Sequence, residues 1–438
     1  MRRVGFWAML ALSVGVIVTA TLLPSGFRGG EQRHVSPLCL TCPDSWLADV
    51  ISNVALFFPL GASLTAVGLR ARRAIALSSA FSVTIELLQF FDVPPGRTAS
   101  FSDWCTNTSG AALGVLFVAM WPLMVRPSRD AAHRLLAGWT ALTLAALGGS
   151  AWAVARDGPS AGHSAVIAAS ALPHTPGYGW FGGVTEVLSL NGARVAHRGS
   201  GPIMLHVQRT DTVTIETVER GRDDGFSTVP IAWLHAESDS LPHTLLAQRD
   251  RDLSLQARLN ATRIGLATPR LVLRGVFPAS RFDTTSLTRI RATVVNGKLS
   301  LSAVPAADST SVLNASLSLS AALGWTLIQS VVRVDSRLGP WLSLVWLLLW
   351  FVPVGRWMVS SKFGRTFAQD GTAHGADLSA PLLLALTWSS LVLVTIGAAG
   401  VVFGVSPLAW WQDGACIGAC MITAVVASSI DSRQKVLL

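Results

Sequence analysis

Eight runs of predominantly apolar residues, at about 4–24, 49–69, 73–92, 103–125, 134–155, 338–359, 380–403 and 408–429, limit this chain more than any other feature. A bilayer core about 30 Å thick takes a helix of roughly 20 such residues. Inside hydrocarbon a backbone must satisfy its own hydrogen bonds, which a helix does. Composition agrees: of 438 residues, 50% are hydrophobic and 13% charged, too apolar for an ordinary water-soluble globule. The runs predict a polytopic α-helical membrane protein with about eight transmembrane helices.

The net charge of +9 does not point to nucleic acid, because the basic residues sit in short clusters between the apolar runs. Arg2-Arg3, Arg70-Ala71-Arg72-Arg73, Arg126 to Arg134, Arg356 to Arg365 and Arg433-Gln434-Lys435 fall at alternate ends of the spans. The positive-inside rule puts those ends in the cytoplasm. Both termini are then cytoplasmic, and segments 25–48, 93–102, 156–337 and 404–407 face outward. Met1-Arg2-Arg3 and the apolar run after it read as a retained anchor rather than a cleaved signal peptide, since no small-x-small site follows.

Three of the runs carry polar residues near one end. Asp49 and Asn53 are four apart, Glu86 and Gln89 three apart, and Asp103 and Asn107 four apart, so each pair lies on one helix face. With the topology above, Asn53, Glu86 and Asn107 lie roughly 6 to 9 Å below the outer interface, at about 1.5 Å per residue. Ionisable groups at such depth are costly and normally face a bundle interior or a wet cavity. Arg97, in the loop after Pro94-Pro95-Gly96, is the expected counter-charge for Glu86 or for an anionic head group. The alternatives are helix–helix hydrogen bonding for the polar pairs and interfacial snorkelling for Arg97. Pro59 and Gly61 inside the second run, and Gly110 and Gly114 in the fourth, are structural expectations: a proline frees a helix carbonyl, and a small-xxx-small face admits a close neighbour.

The ordered motifs Asp49-x-x-x-Asn53, Phe57-Phe58-Pro59-x-Gly61, Glu86-x-x-Gln89, Gly96-Arg97 and Asp103-x-x-x-Asn107-x-x-Gly110-x-x-x-Gly114 resemble the VanZ-like family, over about residues 1–125. That family was first associated with resistance to the glycopeptide teicoplanin. The resemblance implies a four-helix membrane domain, a role in the cell envelope and a bearing on glycopeptide susceptibility. Its positions fall here on the eleven residues just named from Asp49 to Gly114, other than the two phenylalanines and Gly96. Many members carry a histidine where this chain has Asn53.

Past the fifth run, expected over 126–157, the pattern changes. From about 158 to 308 short alternating runs such as DTVTIETVER (211–220), DLSLQARLN (252–260) and RIRATVVNGKLSLSAV (289–304) predict an inserted extracytoplasmic all-β sandwich. Asn296-Gly297 marks a tight hairpin. The succession resembles a concanavalin A-like, laminin-G-type jelly roll, which implies glycan contact. Tyr178, Trp180, Phe181, Phe226 and Trp233 are the candidate sugar-stacking aromatics, against their ordinary use as core. Asp223, Asp224, Asp239 and Asp250 lack a calcium-loop pattern. His163, His174, His197, His206, His235 and His243 read as surface or core residues. Cys39 and Cys42 are a candidate disulfide. No ligand spacing for zinc accompanies them, so no metal and no cofactor are expected.

Segment 309–337 reads as an amphipathic connector along the interface, before a C-terminal three-helix domain over 338–438. There WLLLWFVPVGRW (346–357) resembles NVALFFPLGASL (53–64), which suggests a degenerate parallel repeat of helices two to four, with chance similarity as the alternative. The resulting expectation is an envelope protein in which Asp49, Asn53, Glu86, Gln89, Arg97, Asp103 and Asn107 bind a lipid head group or a lipid-linked cell-wall precursor. The sandwich is expected to touch envelope polysaccharide. The alternatives are a head-group-modifying enzyme with Glu86 or Asp103 as general base, and a transporter or structural adaptor.

Overall fold

The computed structural model describes residues 2–23, 46–94, 97, 99–157, 164–168, 184–196, 203–205, 212–220, 229–236, 244–249, 251–277, 287–295, 297–304, 311–328, 333–334, 338–360 and 379–436. Its long helices are α1 (Arg2–Leu22), α2 (Trp46–Ala66), α3 (Ala71–Phe90), α4 (Phe101–Val125), α5 (Arg129–Ala153), α6 (Gly339–Ser360), α7 (Ser379–Phe403) and α8 (Trp410–Val436). Among the described residues, 6 helices, namely α1, α2 and α4 to α7, are long and apolar enough to cross a membrane. This is a multi-pass membrane protein. The other two are less apolar: α3 holds Arg72, Arg73 and Glu86, and α8 opens on Trp410-Trp411-Gln412-Asp413.

The chain forms two compact units, one over Met1–Leu135 with Ser360–Lys362 and one over Leu136–Val359 with Phe363–Leu438. In the first, Ile17, Phe57, Leu60 and Ile85 make a core, flanked by Leu10, Val14, Leu56, Leu64 and Phe81. Helix α2 runs on through Pro59, whose carbonyl accepts the Ser63 hydroxyl. The tightest packing lies between α2 and α4. A Cβ added at Gly61 would strike the backbone of Ala111, one at Gly110 the backbone of Val54, and one at Gly114 the Phe58 carbonyl. The two helices therefore touch main chain to main chain, which only glycine allows.

The second unit joins most of α5 and helices α6–α8 to two β-sheets. Leu147, Leu347, Phe351, Val392 and Cys416 pack together. Trp139 Nε1 donates to the Trp350 carbonyl at 2.8 Å, and Trp388 Nε1 to Thr140 Oγ1 at 2.9 Å. Gly355 of α6 meets α8 as Gly61 meets α4, for a Cβ there would strike the Cys420 carbonyl and Thr423.

The strands are β1 (Ser164–Ala168), β2 (Val184–Leu190), β3 (Ala193–Ala196), β4 (Ile203–Leu205), β5 (Val213–Arg220), β6 (Val229–Ala236), β7 (Thr244–Arg249), β8 (Asp252–Ala257), β9 (Arg270–Leu273), β10 (Leu287–Val295), β11 (Lys298–Val304), β12 (Leu313–Ser318) and β13 (Arg333–Val334). A 7-stranded sheet has the order β13-β9-β8-β7-β6-β1-β4, and a 6-stranded sheet the order β12-β11-β10-β5-β2-β3. Only β13 and β9 pair in parallel among the described strands. Inward residues of both sheets, such as Leu246, Leu253 and Leu255 from one and Ile215, Ile290 and Leu301 from the other, share one core. Val295 stands opposite Lys298, so β10 and β11 form a hairpin with a two-residue turn, and Gly297 takes the left-handed conformation such a turn needs, at φ 74°.

One expectation fails here. Segment 309–337 is no interfacial connector: it supplies β12, a 3-10 turn over Ala321–Leu327 and β13. In LNASLSL the residues alternate with a period of two, and Leu317 and Leu319 enter the sandwich core together with Leu323 and Leu327. The serines between them belong to the outer face of a strand, not to a membrane surface.

Main-chain bonds tie this β domain to the helices of its own unit. Asn260 N donates to the Ala155 carbonyl at 2.9 Å and its Nδ2 to the Trp152 carbonyl at 3.0 Å, both at the end of α5. Asp157, 3% exposed, pairs with Arg258 and Arg263. Between α7 and α8, Ser406 donates through N to the Leu319 carbonyl at 2.7 Å and through Oγ to the Gly297 carbonyl at 2.7 Å.

Candidate functional site

The glycine contacts place α2 beside α4 with their residue numbers rising together, from Val54 against Gly110 to Phe58 against Gly114. Two turns toward the start of α4 lies Asp103, and its Oδ1 accepts a 2.9 Å hydrogen bond from Asn53 Nδ2 of α2. Asp49 and Glu86 both lie close enough to act electrostatically on Asp103. Glu86 Oε2 accepts the Ser100 backbone N–H at 2.7 Å, which ties α3 to the entry of α4. Carboxyl groups from two other helices thus gather around Asp103. Among the described residues, neither Glu86 nor Asp103 forms an ion pair.

One turn along α4 from Asp103, Asn107 is 3% exposed. Its Nδ2 donates to Ser82 Oγ at 3.0 Å, while its Oδ1 is buried without a donor. Ser82 stands one turn before Glu86 on α3, so Asn107 and Ser82 form a layer under the carboxyl groups.

Arg97 and Gln89 depart from expectation. Arg97 makes no pair with Glu86; its Nη2 donates to the Ala20 carbonyl at 2.8 Å, and Gln89 Nε2 donates to the Thr21 carbonyl at 3.2 Å. Ala20 and Thr21 belong to the last turn of α1, where carbonyls have no partner within their own helix. A cation and an amide donor at that end satisfy them and favour the helix dipole. Arg97 Nε remains buried without an acceptor.

Beside Glu86, an open groove of about 330 Å³ runs between α3 and α4, lined by Val83, Leu87, Phe90, Phe101 and Trp104 with Ala99 and Ser100. Phe90 is 64% exposed and Leu87 52%, so the groove opens away from the helix core. Trp104 is fixed by its Nε1 donating to Ser79 Oγ at 2.9 Å. Sequence reasoning missed this feature although the signal was there: Val83, Leu87 and Phe90 recur at helical spacing next to Glu86. It missed Ser82 and Ser100 as well, since a serine on an apolar helix carries no distinguishing pattern.

Cys39, Cys42, Tyr178, Trp180, Phe181, Phe226, Asp223, Asp224, Asp239, Asp250 and the histidines other than His235 in the list above lie outside the described residues. Trp233 and His235 lie in β6. Among the described residues, no group of three or more His, Cys, Asp or Glu side chains is arranged to hold a metal ion.

Residues 9–122 match the family model VanZ/LLP1. No curated protein and no solved structure matches the chain significantly. The family match begins inside α1 and ends inside α4, so it takes in the Asn53–Asp103 contact, the Gly61, Gly110 and Gly114 packing, and Glu86 with its groove. Over these residues the chain is similar to the VanZ/LLP1 family.

Proposed function

We propose that this VanZ-like domain binds the polar head of a membrane lipid or of a lipid-linked cell-wall precursor in the outer leaflet of a bacterial cytoplasmic membrane. In this reading both termini are cytoplasmic and all eight long helices span the bilayer. The β domain, read as a jelly roll of the concanavalin A-like type, stands outside and touches envelope polysaccharide, and the protein bears on glycopeptide susceptibility. Helices α6–α8 are a degenerate copy of α2–α4 that serves as scaffold.

The observation that carries this reading is the juxtaposition at Glu86: carboxyl and amide groups stand beside a groove that is otherwise lined mainly by apolar side chains. Polar groups at a membrane helix that only glued helices would be paired off, whereas Glu86 and Asp103 each keep an oxygen without a hydrogen bond. Amphiphilic surfaces of this kind fit amphiphilic ligands, whose heads need polar partners and whose chains need to stay out of water. Native mass spectrometry of the full-length protein released from detergent tests it. Wild type is expected to retain lipid, and Glu86→Gln and Arg97→Ala to lose it. Retention unchanged in both variants overturns the reading, and head-group product formed by wild type alone turns it into an enzyme.

A further inference from the structure

We propose that the ligand is an aminophospholipid, a diacyl lipid whose head carries a primary ammonium beyond its phosphate. The inference rests on the lipid-binding reading above and adds the head-group chemistry. Three features of the first unit match the three parts of such a molecule.

The first is the cluster around Asp103. Two of its acceptors are unused: Asp103 Oδ1 takes the Asn53 amide and Glu86 Oε2 takes the Ser100 N–H, while the other carboxylate oxygen of each carries no hydrogen bond. Below them the Asn107 Oδ1, in a residue 3% exposed, has no donor at all. An unpaired buried acceptor in a low-dielectric setting costs free energy until a donor or a positive charge compensates it. An ammonium supplies three N–H donors and a positive charge. A phosphate monoester or a sugar hydroxyl head supplies no cation, and a doubly anionic head would face repulsion from two carboxyl groups.

The second is Arg97. Its guanidinium has five N–H donors and, among the described residues, spends one on Ala20. It stands three residues before Ser100, which bonds Glu86, so a chain of that length holds the Arg97 Cα within about 10 Å of the Ser100 Cα. That puts a cationic residue in the segment that leads into the acidic cluster, as a phosphate joined to an ammonium requires. The third is the groove. The α3 wall from Phe90 back to Val83 covers about 10 Å of helix rise, with Glu86 standing between the apolar Val83, Leu87 and Phe90, and Val83 lies on the side of Glu86 toward the membrane interior. An acyl chain lies there with its head at Glu86.

The test uses full-length protein in nanodiscs of neutral phosphatidylcholine, each doped with one lipid of matched chains: phosphatidylethanolamine, its N-acetyl derivative, phosphatidylglycerol, or undecaprenyl phosphate. Native mass spectrometry reads the retained lipid. Phosphatidylethanolamine is expected to be retained about tenfold over its N-acetyl derivative and over phosphatidylglycerol, a step equal to one decade in Kd. Asp103→Asn and Asn107→Leu should each bring it down toward the others with an unchanged melting midpoint, and Leu87→Gln should weaken every lipid alike. The N-acetyl comparison leaves the protein untouched, so it decides even where a variant fails to fold. Equal or stronger retention of phosphatidylglycerol or undecaprenyl phosphate overturns the ammonium assignment and leaves the lipid-binding reading standing. Retention of no doped lipid above the phosphatidylcholine background overturns both.

Discussion

In α2, Phe57-x-Pro59-x-Gly61 sets its glycine against the main chain of α4 at Ala111. In α6, Phe351-x-Pro353-x-Gly355 sets its glycine against the main chain of α8 at Cys420 and Ala424. Phe57 and Phe351 are both fully buried, and an aspartate, Asp103 or Asp413, lies about two turns before each contact on the later helix. The difference lies one turn away. Four residues before Phe57 stands Asn53, which bonds Asp103; four before Phe351 stands Leu347, buried in an apolar core. Four after Asp103 stands Asn107; four after Asp413 stands Ile417. The same close approach of two helices thus carries a polar cluster in one region and a hydrophobic seam in the other. Packing and chemistry are written at separate positions, and the glycines do not presuppose the site.

The strongest way to break the comparison is at the glycines. Gly61→Leu and Gly355→Leu each push a side chain into a facing backbone, and both should cost about 3 kcal/mol or more, at or above the usual range for overpacking. Gly397→Leu in α7, where a Cβ meets nothing within 4 Å, should change stability by less than about 0.5 kcal/mol. Thermal midpoints in detergent, followed by tryptophan fluorescence, rank the three. A Gly355 variant as tolerant as the Gly397 one would end the parallel.

A sharper version moves one region's residues into the other. Asn53→Leu with Asn107→Ile gives α2 and α4 the side chains of α6 and α8, and should reduce lipid retention about tenfold. Stability should stay within about 1 kcal/mol, because replacing an unsatisfied buried acceptor by an apolar group offsets the lost hydrogen bond. Retention intact in that double variant, read by native mass spectrometry, would show that the cluster is only packing. The smallest effect belongs to the seam itself. Trp388→Phe removes the bond to Thr140 and should cost about 0.6 kcal/mol, the average for a hydrogen bond between membrane helices, with lipid retention unchanged. A double-mutant cycle with Thr140→Val isolates that term.

These contrasts explain what the sequence disclosed. Apolar runs of helical length marked the helices within a few residues, because a bilayer imposes length and composition together. Alternation marked β5, β6 and β8 to β11 for the same kind of reason. Alternation was also present in β12, but an apolar segment broken by Arg333, Asp335 and Arg337 looks like an interfacial connector when the strand's partner is not in view. In the site, the polar residues were legible one by one, since each stands out from an apolar helix. Their pairing was not. Whether Asn53 meets Asp103 or Asn107 depends on the register of α2 against α4, which Gly61, Gly110 and Gly114 set through main-chain contact. Arg97 was drawn to the carbonyls ending α1, a demand made by a helix 77 residues away in the sequence, which motif spacing does not express.

The β domain grows from the end of α5 and is fastened again at Ser406 between α7 and α8, each time partly through the main chain. A domain on a flexible linker sweeps a volume and dissipates any pull in slack. One fixed at two points behaves as a mast: it is held at a set height and angle to the helices of its unit. A force applied at its far edge arrives as torque on α5 and on the turn between α7 and α8.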